Sequence, residues 1–278
     1  MPASDDQLIE LLHETAMAIR SALDGLDDWG PAGTRAGQYL SDLAADAAAL
    51  AVLDAAEVGV LSEESGLHAA DRDVIVVVDP LDGSTNAARG IPWFATSLCA
   101  VDADGPRVAL VVDLPHGRTF TAARGGGSSV DGMPLRPSGC TVVGEALVGI
   151  SGFPAQPLGW SQFRTLGAAA LDLCAVAEGT LDGFVDCSPS AHGPWDYLGG
   201  SLICTEAGAS VIDALGRDLV TIEHDARRTP VAAATPALLD ALVPARRRAG
   251  GDGAVGRDRG DGGGGAVGGD GGGGAEGT

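Results

Sequence analysis

The sequence predicts a layered protein of the α/β or α+β class, and three observations favour this class. Apolar runs of strand length, such as residues 74–78, alternate along the chain with segments whose apolar residues recur at helical spacing. Both kinds of segment occur in each half of the chain, which is typical of sheets covered by helices. A Gly-, Ser- and Pro-rich stretch at residues 125–139 separates the halves. We therefore expect an N-terminal half over residues 1–130 and a C-terminal half over residues 131–243.

The N-terminal half is predicted to contain two helices and several strands. Apolar residues at helical spacing indicate a helix over residues 4–23, capped by Ser4 or Asp5. An alanine-rich segment predicts a second helix over residues 42–53. The predicted strands are 58–61, 74–78, 96–101, 107–112 and 118–122. The continuous apolar run at 74–78 is typical of a central strand rather than an edge strand.

The C-terminal half repeats this mixture of elements. Its predicted strands are 146–151, 183–186, 209–212 and a short one starting at residue 231, and its predicted helices are 167–178, 195–207 and 236–242. From residue 244 on, the chain becomes rich in glycine and lacks aromatic residues. Such a segment cannot bury enough surface to offset the entropy of ordering it, so we expect residues 244–278 to be a disordered tail.

The charge balance limits which partners the protein can have. The chain carries a formal net charge of −21. A strongly acidic protein is repelled by nucleic acid and by anionic lipid, but it suits the binding of metal cations. All basic residues apart from histidine are arginines, which excludes catalysis by a lysine amine.

The cysteines and the absence of membrane signals favour a cytoplasmic protein. None of the 5 cysteines has C-x-x-C spacing, and Cys99, Cys174 and Cys204 stand among apolar neighbours, so we interpret them as buried reduced thiols. The acidic N-terminus has no apolar core of the kind that a signal peptide needs. No apolar run approaches the ~18 residues of a membrane span.

Acidic residues follow predicted strands or open a predicted helix at three places, and they indicate a metal site. Glu63 and its neighbour Glu64 follow the strand at 58–61, Asp79 and Asp82 follow the strand at 74–78, and Asp196 stands at a helix start. Unpaired charges at the inner end of a buried strand are costly. Carboxylates from separate segments are ligands that Mg²⁺ prefers, and these could hold two ions, with the carbonyl of Leu81 between Asp79 and Asp82.

The residues after Asp82 suit an anion. In the segment "DGSTN", the amides of Gly83, Ser84 and Thr85 are predicted to point outward at a helix N-terminus, where they favour a phosphate. Carboxylates for cations and amides for a phosphate, within seven residues, are what phosphoryl transfer by two metals requires. The alternatives are that "DGST" is only a helix cap and that "SEESG" is only a solvated turn. A calcium loop of the EF-hand type is excluded by the spacing of the acids.

Taken together, these segments resemble the inositol monophosphatase family of Mg²⁺-dependent, lithium-sensitive phosphomonoesterases. "DPLDGSTN" is similar to the first signature of that family, and "PWDYLGGSLICTEAGA" is similar to the second. "LSEESG" and "TLGAAALDLCAVAEGTLDGFVD" resemble two further segments of the family, and all four stand in the expected order. The resemblance covers roughly residues 5–243 and implies a five-layered αβαβα sandwich of the sugar-phosphatase type, commonly a homodimer.

The resemblance also implies roles for individual residues. Glu63, Asp79 and the carbonyl of Leu81 would bind one Mg²⁺, and Asp79, Asp82 and Asp196 would bind a second. Glu63 and the hydroxyl of Ser84 would orient and deprotonate the water that attacks phosphorus. Asp46 matches an acid near a third, weaker metal position, so two or three ions are expected, and an exposed helix acid is the alternative interpretation. A phosphorylated Ser84 is the competing mechanism.

The chain departs from the family pattern at a few positions. The hydroxyl that often precedes the position matched to Asp46 is absent, as is a lysine found earlier in many members. The segment before Trp195 is longer than in the animal enzymes; within it Asp186 is the candidate for contacting substrate hydroxyls, and His192 is interpreted as a surface-loop residue, with substrate contact as the alternative.

The expected substrate is a small polyol or sugar phosphate, most of all inositol monophosphate, and Asn86 tilts the prediction mildly that way. Histidinol phosphate, fructose 1,6-bisphosphate and 3′-phosphoadenosine 5′-phosphate are alternatives within the family. A non-catalytic binding protein that retains the fold is the alternative from another class.

Overall fold

The computed structural model describes residues 3–35, 37–188 and 191–250. Within these ranges the chain forms two β-sheets and six α-helices, stacked in five layers of order αβαβα. The predicted mixed fold and its five layers are confirmed.

The first layer consists of helices α1 (Asp5–Asp24) and α2 (Leu40–Ala55). The hydroxyl of Ser4 accepts a hydrogen bond from the amide of Gln7 at 3.3 Å, and the Gln7 side chain accepts one from the Ser4 amide at 2.8 Å. This reciprocal capping fixes where α1 begins. The apolar stripe of α1 is buried against α2 and one face of the first sheet.

The first sheet has eight strands in the order β2–β1–β3–β4–β5–β6–β7–β8. The strands are β1 (Gly59–Ser62), β2 (Gly66–His68), β3 (Ile75–Asp82), β4 (Ala95–Asp102), β5 (Gly105–Asp113), β6 (Arg118–Ala123), β7 (Gly127–Val130) and β8 (Met133–Pro134). Strand β3 is parallel to β1 and antiparallel to β4, and it is buried along its whole length. The prediction of a central strand at 74–78 is confirmed.

The middle layer holds α4 (Ala169–Ala177) and α5 (Pro194–Ala207), whose residues are buried between the two sheets. A short helix, α3 (Ser84–Arg89), follows β3. The second sheet has the order β10–β9–β11–β13–β12, and α6 (Pro236–Gly250) covers its outer face. Its strands are β9 (Leu147–Gly152), β10 (Gln162–Arg164), β11 (Gly183–Cys187), β12 (Ser210–Asp213) and β13 (Pro230–Ala233).

Four short strands were not predicted, and two of them lie in the stretch that separates the predicted halves. Strands β7 and β8 lie within the stretch at 125–139 that we expected to be a connecting loop, yet they extend the first sheet at its edge. Strands β2 and β10 are also sheet edges. Strands of two to four residues are too short to show a period of two in the sequence.

Helix α6 is longer than predicted. It continues beyond residue 243 to Gly250, and the side chains of Arg246 and Arg247 donate to the backbone oxygens of Asp186 and Ala214. These bonds tie the basic end of the helix to the second sheet, so the predicted tail cannot begin at residue 244. Residues 251–278, the rest of that tail, lie outside the described residues.

Two further predictions concern the cysteines and membrane spans. Cys99, Cys174 and Cys204 are buried free thiols, as predicted. Over the described ranges, no helix combines the length and the apolar character that crossing a bilayer requires.

Candidate metal centre

An irregularity in β3 brings two acids to the same side of the first sheet. Asp79 pairs with Ser97 of β4, and Asp82 pairs with Ala95, so three steps along β3 match two steps along β4. A regular strand would place residues three apart on opposite faces, and the extra residue removes this alternation. The hydroxyl of Thr96 donates to the carbonyl of Pro80 at 2.9 Å inside the bulge. The sequence "DPLD" therefore aims both carboxylates in one direction.

The carboxylates of Asp79, Asp82 and Asp196 converge. Each offers an oxygen that lies within 4.8 Å of the oxygens offered by the other two. Asp79 and Asp82 are buried, and Asp196 is half-buried in the first turn of α5. One oxygen of Asp79 accepts from the amide of Leu81 at 3.1 Å, and the other is buried with no hydrogen-bond partner among the described residues.

Helix N-termini orient two of these acids. The amide of Ala170, in the first turn of α4, donates to Asp82 at 2.7 Å. The amide of Gly193 donates to Asp196 at 2.8 Å, which also caps α5. Free amides at the start of a helix favour a carboxylate, so α4 and α5 hold the two acids in place from the middle layer.

Burial and mutual repulsion shift the acids toward their protonated forms. Burial and the charge of Asp196 raise the pKa of Asp82 to about 7. Burial and the charge of Glu63 raise the pKa of Asp79, and burial and the charge of Asp196 raise the pKa of Glu63. Such a group of carboxylates is stable in its ionised form only with a cation among them. The unpartnered oxygen of Asp79 and the all-oxygen donor set fit a hard divalent ion such as Mg²⁺.

A cavity of about 220 Å³ lies near the three acids, which are not themselves on its wall: the wall includes Ser84, two residues after Asp82, and Trp195, directly before Asp196. The predicted residues Glu63 and Ser84 line it. The other residues on its wall are Arg35, Gly37, Asp42, Glu64, Trp195, His224 and Arg227. The cavity is small, polar and directly beside the acid group, as expected for the site of a small charged substrate.

The structure places Asp42 on this cavity rather than Asp46. Asp46 is buried one helical turn further along α2 and accepts a hydrogen bond from the hydroxyl of Ser62. Burial raises the pKa of Asp42 to about 6, although a hydrogen bond from the backbone amide of Tyr39 opposes this. The cavity geometry therefore favours Asp42, rather than the predicted Asp46, as the acid beside the proposed catalytic site. Ser41, directly before Asp42, is the preceding hydroxyl that seemed absent.

The segment predicted to bind a phosphate forms the start of α3. Gly83 is the N-cap with φ +83°, and Ser84 and Thr85 are the first helical residues, whose amides have no carbonyl four residues back to bond within the helix. The Thr85 hydroxyl lies 3.2 Å from the hydroxyl of Tyr39. The prediction that "DGSTN" is a turn entering a helix is confirmed.

Asp186, which we predicted to contact the substrate, is not part of the wall of this cavity. Its side chain is fully buried at the end of β11 and accepts from the amide of Ser188 at 2.8 Å. His192 is not a surface residue either, because its side chain is only 15% exposed. Its Nε2 lies 3.6 Å from Asp186 and its Nδ1 lies 3.2 Å from Asp196. Burial opposes the positive charge of His192, but these carboxylates raise its pKa to about 9.

Asn86 supports the fold rather than substrate choice. Its side-chain amide donates to the carbonyls of Trp93 and Leu166, both at 2.7 Å. It therefore joins α3 to the segment before α4, and the mild preference for inositol phosphate that we based on this residue has no support.

Sequence reasoning did not find Arg35, His224 and Arg227, which also line the cavity. Arg35 comes from the loop before α2, where its Nη2 donates to Glu64 at 2.7 Å. His224 and Arg227 come from the long segment between β12 and β13, and both lie against Trp195. None of these loops has a local pattern that marks it as functional.

Comparison with known proteins identifies relatives along most of the chain. A sequence model described as "Inositol monophosphatase family" matches residues 41–250. The chain is 36% identical over 173 residues to the protein named Nus factor SuhB of Escherichia coli (strain K12); the match covers 56% of this chain and 63% of the relative. It is also 36% identical over 168 residues to fructose-1,6-bisphosphatase of Pyrococcus furiosus, covering 58% of this chain and 64% of that one.

A solved structure shows the same fold. It is a protein of Pyrococcus horikoshii described as having similarities to inositol-1 monophosphatase, with a TM-score of 0.74, 27% sequence identity, and coverage of 86% of this chain and 96% of that chain. The matches to the curated sequences span slightly less than two thirds of their length.

Proposed function

The chain belongs to the inositol monophosphatase family, and from this premise we propose that it is a Mg²⁺-dependent phosphomonoesterase that hydrolyses a small phosphorylated polyol or sugar. The observation that carries the proposal is the convergence of Asp79, Asp82 and Asp196 within 4.8 Å beside a small polar cavity. Neither a structural helix cap nor a solvated turn accounts for three convergent carboxylates, two of which are buried.

Different residues of the chain would bind the metal and activate the attacking water. Asp79, Asp82 and Asp196 would hold Mg²⁺, together with Glu63 and the carbonyl of Leu81. When bound, Mg²⁺ supplies charge neutralisation of the phosphate oxygens and a more acidic water. Burial and repulsion by Asp196 raise the pKa of Glu63 in the metal-free protein; bound cations would offset that repulsion and favour the ionised form that a base needs.

The water and the phosphate are positioned by groups on the cavity wall and at the start of α3. Ser84 lines the cavity together with Glu63 and Asp42, so a water between them can donate to the carboxylates and accept from the hydroxyl. The amides of Gly83, Ser84 and Thr85 would donate to the phosphate oxygens. Direct attack of this water on phosphorus needs no covalent intermediate on Ser84.

Substitution of one ligand tests the proposal. We expect the wild-type protein to release inorganic phosphate from a panel of phosphate esters only when Mg²⁺ is added. Asp82→Asn keeps an oxygen that can accept from Ala170 but removes the negative charge, so kcat/KM should fall by at least about 100-fold. Asp54→Asn, the same change on the exposed face of α2, is the control and should have no effect. Full activity in Asp82→Asn, or phosphate release without a divalent ion, would contradict the two-metal assignment.

The same panel separates the remaining alternatives. Histidinol phosphate, fructose 1,6-bisphosphate and 3′-phosphoadenosine 5′-phosphate are included beside inositol monophosphate. A protein that binds Mg²⁺ and the esters but releases no phosphate from any of them would be the non-catalytic binder. The homodimer stays a prediction of the family resemblance, to be measured by light scattering. The cytoplasmic location stays a prediction from the cysteines and the absence of membrane signals, to be measured by fractionation.

A further inference from the structure

We propose that Arg227 binds a second anionic group on the leaving group of the substrate, and that the preferred substrates are phosphate monoesters of already phosphorylated sugars or polyols. This inference rests on the proposed phosphatase function and names its substrate class. It comes from the charges on the cavity wall. The wall carries arginines as well as acids, whereas the neighbouring group of Asp79, Asp82 and Asp196 carries only carboxylates.

Two nitrogen atoms of the Arg227 guanidinium, Nε and Nη2, have no hydrogen-bond acceptor among the described residues. Its Nη1 donates to the carbonyls of His224 and Ala226 at 2.7 and 2.8 Å, which fixes the position of the guanidinium. The guanidinium carbon lies 5.1 Å from the centre of the Trp195 ring. Among the described residues it forms no ion pair with a carboxylate, so Nε and Nη2 remain able to donate to a ligand.

The other cation on the wall is already neutralised. Arg35 donates to Glu64 at 2.7 Å, and Gln38 donates to the same carboxylate. The acids Asp42 and Glu63 also line the cavity. Asp42 and Glu63 therefore repel an anion that enters the cavity, whereas the guanidinium of Arg227, which no carboxylate of the described residues neutralises, attracts it.

The position of Arg227 places its donors within reach of a small substrate. Trp195, on which the guanidinium stacks, directly precedes the proposed metal ligand Asp196 in α5. A cavity of about 220 Å³ has the size of one small phosphorylated molecule. A substrate with its reacting phosphate at the acid group would therefore present the far end of its leaving group to Arg227. A fixed, planar guanidinium suits a phosphate or carboxylate, which it can bind through two parallel hydrogen bonds.

A comparison of two substrates tests this inference. We measure kcat/KM of the Mg²⁺-loaded protein for fructose 1,6-bisphosphate and for inositol 1-phosphate, in the wild type and in Arg227→Gln. The wild type should prefer the bisphosphate, and the substitution should lower kcat/KM for it by about 10- to 100-fold, mainly through KM, because the lost contact is to a group that does not react. The value for inositol 1-phosphate should change by less than about 3-fold. Calorimetric titration with a non-hydrolysable bisphosphonate analogue should show the same loss without turnover.

Arg228→Gln is the matched control. Arg228 follows Arg227 in the chain and also donates from its side chain to backbone carbonyls, those of Asp218 and Arg227, but it is not part of the cavity wall. It should leave the ratio of the two kcat/KM values unchanged. Because this ratio compares two substrates on one preparation, a partly unfolded variant cannot imitate the expected result.

The possible outcomes separate this inference from the function on which it rests. An equal fall for both substrates, or no fall for either, would overturn the role of Arg227 while leaving the phosphatase intact. A wild type that releases phosphate from other esters of the panel but from neither of these two would overturn the inference alone. A wild type that releases phosphate from no ester of the panel would overturn both. A third substrate, 3-phosphoglycerate, carries a carboxylate as its second anion; a loss in Arg227→Gln for this ester as well would show that the site takes either anion.

Discussion

Asp42 and Asp46 lie one turn apart on α2, and their surroundings differ. Asp42 faces the cavity beside Ser84, and burial raises its pKa to about 6. Asp46 is buried under β1, where its carboxylate accepts from Ser62. A carboxylate beside a proposed water can take part in orienting it, whereas one that accepts from a buried hydroxyl supports the structure.

The same substitution at both positions distinguishes these roles. Asp42→Asn removes the charge beside Ser84, and we expect kcat to fall by about 10- to 100-fold with little change in melting temperature. Asp46→Asn keeps an oxygen that can accept from Ser62, so kcat should stay within about 3-fold of the wild type. Steady-state kinetics and thermal unfolding on the two variants measure both quantities. A larger loss of activity in Asp46→Asn than in Asp42→Asn would return the third-metal position to Asp46.

At the scale of elements, the turn between β3 and α3 is the most constrained backbone of the site. Gly83 adopts φ +83°, and a Cβ built there would lie 3.1 Å from Ala168, from the carbonyl of Gly167 and from the carbonyl of Trp93. Glycine is needed here both for the left-handed conformation and for close packing against the segment before α4. At the other end of α3, Gly90 has φ +70°, but a Cβ there would meet no atom within 4 Å.

These two glycines make a matched test of α3. Gly83→Ala combines left-handed strain with steric overlap and should destabilise the protein by about 2–4 kcal/mol. Gly90→Ala carries the strain alone and should cost about 1 kcal/mol. Denaturant unfolding measures both values. Because the overlap would push α3 away from α4, Gly83→Ala should also raise KM for every phosphate ester, whereas Gly90→Ala should not. Equal costs at the two positions would show that the contacts of Gly83 do not constrain the turn.

Long elements were predictable from the sequence, and short edge strands were not. The run at 74–78 and the amphipathic pattern of α1 each repeat often enough to identify a strand and a helix. Strands β7 and β8 lie in a Gly-rich stretch, and the sheet that they extend, rather than their own residues, makes them strands. The ends of α2 and α6 extend past the predicted limits because tertiary contacts continue a helix where its local pattern fades.

At the scale of the whole molecule, the site lies where elements of three layers meet. Asp79 and Asp82 come from the first sheet, Asp196 from the middle helices, and Asp42 from the outer helix α2. The acids of the signature segments could be found from the sequence because each follows a strand or opens a helix. Arg35 and Arg227 could not, because their loops reach the cavity only after the five layers are assembled.

The proposed metal group also makes the stability of the whole molecule depend on pH. In the metal-free protein, burial raises the pKa of Asp82 to about 7 and that of Asp42 to about 6, from an ordinary value of 3.8 for each. The folded state therefore holds protons that the unfolded chain releases above about pH 4. This contribution is complete below that pH and is lost as the pH rises through the folded pKa values.

We expect the melting temperature of the metal-free protein to fall by about 5–10 °C between pH 5 and pH 8. Mg²⁺ binds the ionised acids, so its stabilising effect should be small at pH 5 and large at pH 8. Carboxylates that include Asp82 and Asp196 raise the pKa of His192 to about 9 against the effect of burial. The stability that His192 contributes is therefore also lost as the pH rises. Thermal unfolding with Mg²⁺ and with a chelator measures both trends.

Asp82→Asn, which removes one titrating ligand, should show a weaker pH dependence of the melting temperature and a smaller Mg²⁺ effect. A melting temperature of the metal-free protein that rises from pH 5 to pH 8, or a Mg²⁺ effect independent of pH, would mean that these acids do not bind the ion as a group.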